Sequence, residues 1–221
     1  MGAKSLAFLV SISLLLSVFM FQYSQINQRE ALLNQSFDRL KMFHSLRKAS
    51  LEDYLDSVSS EIFAASLGSR TRTAVKQFKS AWKAIEGDPT SVLQTHYITE
   101  NPYPLKERQR FVKGIDNSFY GEVHENFHPF GGELIDHFGY YDLFMIDTDG
   151  NILYTVAKES DFATNIRTGP YAGTPLQLVF NQALKRKRKQ ISISDFRHYA
   201  PSNNDPAAFA RNAITDEQGK Y

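Results

Sequence analysis

The chain has 221 residues, a net charge of +1 and 42% hydrophobic residues, which suits one globular domain with an attached element. That near-neutral balance supplies no overall attraction to nucleic acid or acidic membranes. With no cysteine, disulfides, thiol catalysis and cysteine-based metal sites are excluded, although the compartment is not identified.

Leu6 to Phe21 is apolar apart from Ser11, Ser13 and Ser17. With the flanking Ser5, Gln22 and Tyr23 it reaches about 19 residues, just enough for a helix to cross a bilayer. A cleaved signal peptide needs a small-x-small site after the apolar run. Here Phe21-Gln22-Tyr23-Ser24-Gln25-Ile26 follows, and then a helical pattern. The expectation is therefore an uncleaved signal anchor over residues 1–24, with Tyr23 at the interface and the rest of the chain outside the cytoplasm.

Residues 25–67 read as one long amphipathic helix of the coiled-coil kind. Arg29 to Ser66 holds neither proline nor glycine, and Leu33, Phe37, Leu40, Phe43 and Leu46 recur at steps of three and four. Leu51, Leu55, Val58, Ile62 and Ala65 continue the stripe. At about 1.5 Å per residue this is a rod of roughly 60 Å, suited to transmitting displacement or to carrying a domain along its side.

Residues 68–221 read as a mixed module. Thr71 to Glu86 has helical spacing through Val75, Phe78, Trp82 and Ile85, and Gly87-Asp88-Pro89 ends it. Asn101-Pro102-Tyr103-Pro104 breaks the chain, and Ser118 to Phe138 returns to helix through Phe119, Val123, Phe127 and Leu134. Tyr141–Asp147 and Asn151–Ala157 form a predicted hairpin about Thr148-Asp149-Gly150. Lys158, Glu159, Asp161 and Asn165 then make a polar loop, suited to the rim of a small-ligand pocket, that ends at Gly169-Pro170. Thr174-Pro175 opens a helix, Gln190–Phe196 alternates as a strand, and Ala207–Ile214 is a further strand candidate. Asp216 to Gly219 reads as a turn into a strand that does not follow, so the natural gene is expected to continue beyond Tyr221.

Three local patterns invite chemical readings. His124-Glu125-Asn126-Phe127-His128 is a literal H-E-x-x-H, the zinc-peptidase pattern. Leu134 stands where a third histidine belongs, however, and Pro129 should disturb the helix that aims the imidazoles. The bland reading is two histidines packing or hydrogen-bonding on one helix face. Lys185-Arg186-Lys187-Arg188-Lys189 ends a helix, where cations complement the dipole, and is not read as a nucleic-acid patch. Asp147 and Asp149 suit a turn better than a calcium loop. No catalytic residue, metal ligand or cofactor is assigned.

The run Tyr140-Tyr141-Asp142-Leu143-Phe144-Met145-Ile146-Asp147, with Gly150-Asn151-Ile152-Leu153-Tyr154-Thr155-Val156-Ala157-Lys158-Glu159-Ser160-Asp161-Phe162, resembles the sensor region of bacterial methyl-accepting chemotaxis receptors. More closely, it is similar to the membrane-distal module of double Cache sensors, which are PAS-like extracytoplasmic domains. His124…His128-Pro129 upstream, and Asp195-Phe196…Tyr199-Ala200-Pro201-Ser202…Pro206-Ala207-Ala208-Phe209 downstream, extend the resemblance over roughly residues 30 to 221. Gly131-Gly132 departs from it, since the family usually keeps a bulkier pair there. The resemblance implies an α+β fold, a long helix and a PAS-like antiparallel sheet on a membrane anchor, with the module incomplete at its C-terminus. It implies small-ligand sensing with a chemotaxis output, or failing that a nucleotide-cyclase or histidine-kinase output. It also implies a homodimer through the N-terminal helix, in a bacterial inner membrane, with the sensor outside. The ligand would sit beneath Lys158 to Tyr171, against Tyr154, Lys158, Asp161, Tyr171, Asp195 and Tyr199, and would be an amino acid or organic acid. The competing classes are a zinc peptidase and a coiled-coil adaptor.

Overall fold

The computed structural model describes residues 2–114, 117–185 and 192–214. The chain divides into two compact units, Met1–Ser57 and Val58–Tyr221. One helix, α1 (Ala3–Leu67), starts in the first and ends in the second.

The first unit is helical, and its side chains from Phe8 onward are exposed apart from Leu55, which is half-buried. From Phe8 the helix is long and apolar enough to cross a membrane. Inside the apolar run the Ser17 hydroxyl donates to the Ser13 carbonyl at 2.8 Å, so the helix satisfies its own polar group. Phe19 and Tyr23 stack one turn apart, their centroids separated by 6.5 Å. Leu33, Phe37 and Leu40 are exposed.

The second unit is mixed α and β. Helix α2 (Ser69–Lys83) and helix α4 (Phe119–Phe138) pack together. Between them lie α3 (Pro89–Gln94), a π-turn (Thr95–Thr99) and a 3₁₀ stretch (Leu105–Arg110). The predicted hairpin forms with shorter strands, β1 (Phe144–Ile146) and β2 (Ile152–Thr155), antiparallel with Met145 opposite Tyr154. Gly150 N donates to Asp147 O at 3.1 Å to close the turn. Only Gly150 there has a positive φ, 95°, so glycine alone supplies the left-handed residue expected of Asp-Gly.

Helix α5 (Pro175–Lys185) begins at the expected proline. Thr174 does not cap it through its hydroxyl, which donates to Tyr171 O; Gln177 Oε1 instead accepts from Gly173 N at 2.7 Å. The later strands are short: β3 (Ser192–Ile193) pairs with β6 (Ala210–Arg211), and β4 (Arg197–Tyr199) with β5 (Asp205–Ala207), all antiparallel. Among the described residues the sheets have two strands each. The basic run from Arg186 and the turn at Asp216 to Gly219 lie outside the described residues.

All four residues of β2 are buried, because a hydrophobic core lies on either side. Phe78, Tyr97, Tyr120, Phe127 and Tyr154 dominate one core, with Phe78 and Tyr154 centroids 5.0 Å apart. Ile152, Ile166, Leu176, Val179, Phe180 and Tyr199 form the other. On α4 the buried face runs Tyr120, Val123, His124, Phe127, His128, Gly131 and Ile135, while Phe119 is exposed. Pro129 does not break this helix. It and Glu125, whose carbonyl loses a donor to the proline, lie on the exposed side, so the lost bond is not a buried one.

Candidate functional site

The loop after β2 does not lie at a rim. Lys158, Glu159, Asp161, Phe162, Ala163 and Ile166 are buried, and the segment lies along the hairpin as a strap. Ile152 N donates to Thr164 O at 2.9 Å, and Ile166 N to Gly150 O at 2.7 Å. Thr90 Oγ1 donates to Ala163 O, Gln94 Nε2 to Phe162 O, and an Arg108 guanidinium N–H to Lys158 O. Lys158 and Ala163 take φ values of 54° and 60°, which L-residues adopt only when their surroundings enforce it.

Lys158 carries its amine into the interior. Nζ lies 3.3 Å from Thr155 O, 3.4 Å from Val156 O and 3.4 Å from His128 Nδ1. The Tyr97 and Tyr154 rings flank it, at 5.8 and 5.5 Å to their centroids. Burial pushes this amine down to about 7, against the pull of the Asp142 carboxylate.

The two histidines stack at 4.5 Å beside it. His128 Nε2 donates to Gln109 O at 2.7 Å, and Nδ1 accepts from the Tyr154 hydroxyl at 2.7 Å. His124 Nδ1 donates to Val112 O at 2.6 Å, and its Nε2, fully buried, has no partner. Burial, reinforced by the Lys158 charge, depresses both, His128 to about 3, so both rings are neutral at pH 7. Glu125 points elsewhere and pairs with Lys113 at 2.8 Å. Both ring nitrogens of His128 are thus engaged and the glutamate is diverted, so the arrangement gives the zinc-peptidase reading no support.

Three acids stand on the other side of the strap's start. Asp142 Oδ1 accepts from the amides of Leu143, Val156 and Ala157, while its Oδ2 is buried without a donor. Burial pushes Asp142 up to about 7; repulsion from Asp161 acts in the same direction, and the three amide hydrogen bonds oppose both. Asp161 Oδ2 accepts from the Tyr199 hydroxyl at 2.6 Å, its Oδ1 is buried and unpartnered, and burial raises it to about 6. Glu159 accepts from the Tyr141 hydroxyl at 2.5 Å and from Ser202 Oγ at 2.6 Å. The structure therefore buries these residues in two groups, Lys158 against Tyr154 and Asp161 against Tyr199, with Tyr171 6.5 Å from Tyr199 between centroids.

Asp195 stands apart from these groups. It is exposed, lies beyond the end of β3, and its Oδ1 accepts from the next amide, Phe196 N. The strand expected over Gln190–Phe196 would have carried it inward, but the described ladder stops at Ile193. Sequence reading missed Asp142 and Tyr97. An acid inside an aromatic, β-branched strand was a usable signal, since such a residue is rarely buried without partners. Comparison with protein-family models, with curated proteins and with solved structures gave no match.

Proposed function

We propose that this chain is the extracytoplasmic small-ligand sensing region of a bacterial transmembrane receptor, of the methyl-accepting chemotaxis type, dimeric through α1 and anchored in the inner membrane. The observation that carries this reading is the polar interior about the strap: buried Asp161 Oδ1 and His124 Nε2 without partners, and a buried lysine beside the histidines. An unpaired buried acceptor costs about 1–3 kcal/mol, and a bound ligand donor removes that cost. The membrane-length apolar helix supports the anchor.

The unfilled groups at Asp142, Asp161 and His124 are acceptors. This favours a ligand that brings donors, an amine or amino acid, over a plain organic acid. Lys158 already uses its amine on protein carbonyls, so it is not the free partner for a ligand carboxylate that the loop composition suggested.

The test is thermal unfolding of the full chain in nanodiscs against panels of amino acids, amines and organic acids. A ligand specific for the native state at about a hundred times its Kd stabilises by about 2.7 kcal/mol. An amine-bearing compound should raise Tm, with the shift lost in Asp161→Asn and kept in Asp195→Asn. If no panel member stabilises the chain, or if Asp195→Asn alone removes the shift, the reading fails.

A further inference from the structure

The strap from Lys158 to Ile166 is bound on nearly every side, yet its own Asp161, and Asp142 at the start of the hairpin, are incompletely satisfied. A buried carboxylate oxygen with no donor is a poor arrangement for an anion and a good one for a carboxyl, which places its own O–H there. Asp142 and Asp161 each have one such oxygen, and they repel one another. A single proton on Asp142 Oδ2 or Asp161 Oδ1 ends that repulsion and leaves every hydrogen bond on the other oxygen in place.

We infer that Lys158–Ile166 is a proton-operated strap: one proton, taken from solvent by the Asp142–Asp161 pair, tightens it against the hairpin, and loss of that proton loosens it. A proton needs no cavity of molecular size, so the inference stands whether or not the receptor reading does.

The groups that face the pair set the direction. Lys158, Tyr141, Tyr154 and Tyr199 face Asp142; Glu159 and Tyr199 face Asp161. Glu159 is itself held by Tyr141 and Ser202. His124, His128, Tyr97 and the Arg108 guanidinium lie on the Lys158 side. Burial raises Asp142 to about 7 and Asp161 to about 6, from an ordinary 3.8. A raised acid adds stability that is complete below its unfolded value and is lost as pH climbs through the folded one. The strap therefore loosens as pH rises through about 6 to 7. The histidines, both on α4, oppose this from their ordinary 6.5 downward, because their depressed values add stability that is lost as pH falls, toward about 3 for His128; exchange referenced to α4 separates their effect from the strap's. The tightening is thus read between about pH 5 and 7.

The test is a ¹³C carboxyl titration of the full chain in detergent, with Asp142→Asn and Asp161→Asn assigning the resonances. Amide hydrogen exchange of the strap at about pH 5.5 and 7.5 accompanies it, corrected for intrinsic chemistry and referenced to α4. At least one of the two carboxyls should titrate above about pH 5.5, and strap amides should exchange several-fold more slowly at the lower pH, a difference the Asn variants abolish. If both acids titrate below about pH 5, or strap protection relative to α4 does not change with pH, the inference is overturned. The wild-type titration decides even if an Asn variant fails to fold.

Discussion

The Tyr154 hydroxyl donates to His128 Nδ1 at 2.7 Å, and a bare backbone at Gly131 is what lets it arrive there. A Cβ at position 131 would sit 2.5 Å from that hydroxyl and 3.4 Å from the Phe127 ring. Tyr154 is fully buried and cannot step aside. Gly131→Ala should therefore cost about 1–3 kcal/mol by overpacking and release the His128 ring. At Gly132 nothing lies within 4 Å. Gly132→Ala should stabilise the helix by about 0.5–1 kcal/mol. Chemical denaturation of both variants checks the contrast, and equal effects would show that the close approach does not decide the site. The glycine pair that departs from the resembled family thus splits into one packing requirement and one free position.

The two aspartates of the hairpin turn are equally unequal. Asp147 Oδ1 accepts from the amides of Asp149 and Asn151, and Oδ2 from the Asn151 side chain. Its carboxylate organises the turn through these three hydrogen bonds. Asp147→Ala should lose about 1–2 kcal/mol, the scale of a removed local cap, whereas exposed Asp149→Ala should change stability by less than about 0.5 kcal/mol. Thermal melts with and without calcium read both effects, and a calcium-dependent Tm abolished by Asp149→Ala would revive the ion-loop reading.

Much of the fold was legible because it is local. The α1 stripe, Ser118 capping Gly121 N ahead of α4, Pro175 opening α5 and Gly150 in the turn are all decided within a few residues of sequence. What the sequence could not show was depth. A loop carrying Lys158, Glu159 and Asp161 reads as solvent-facing, since such residues are rarely buried. It is buried because Thr90, Gln94 and Arg108, from elements well separated in sequence, supply the strap's carbonyls with donors. The strand before Asp195 was misjudged in length rather than depth: period-two alternation carried it to Phe196, whereas among the described residues β6 pairs with Ser192 and Ile193.

The exposed stripe of α1 calls for an occupant, and the proposed one is the same helix of a second copy. Single cysteines at Leu33, Phe37 and Leu40 should crosslink strongly in membranes, while substitutions at Asn34 and Asp38 should not, giving a three-and-four periodicity. The native chain has no cysteine, so the background is clean. Crosslinking that is uniform along the helix, or absent, would leave α1 as a monomeric spine.

Lys158 gives the sharpest pH-dependent contrast. Its folded value lies near 7, well below the ordinary 10.5, because burial opposes its charge. A depressed base adds stability that is fully present above its unfolded value and is lost as pH falls through the folded one. Wild type should therefore gain from this residue between about pH 7 and 10. Lys158→Met keeps the length and apolar stem and removes the titration. Near pH 6 the wild-type ammonium bears the desolvation penalty, so Met should approach or exceed wild-type stability there. Near pH 10 the neutral amine still meets Thr155 O and Val156 O, which Met cannot, and the variant should be weaker by about 1–3 kcal/mol for the carbonyls left unpaired. Loss of its positive charge should also push Asp142 still higher. Guanidinium unfolding of both proteins at the two pH values measures the crossing. A difference between them that is independent of pH would mean that Lys158 keeps an ordinary amine.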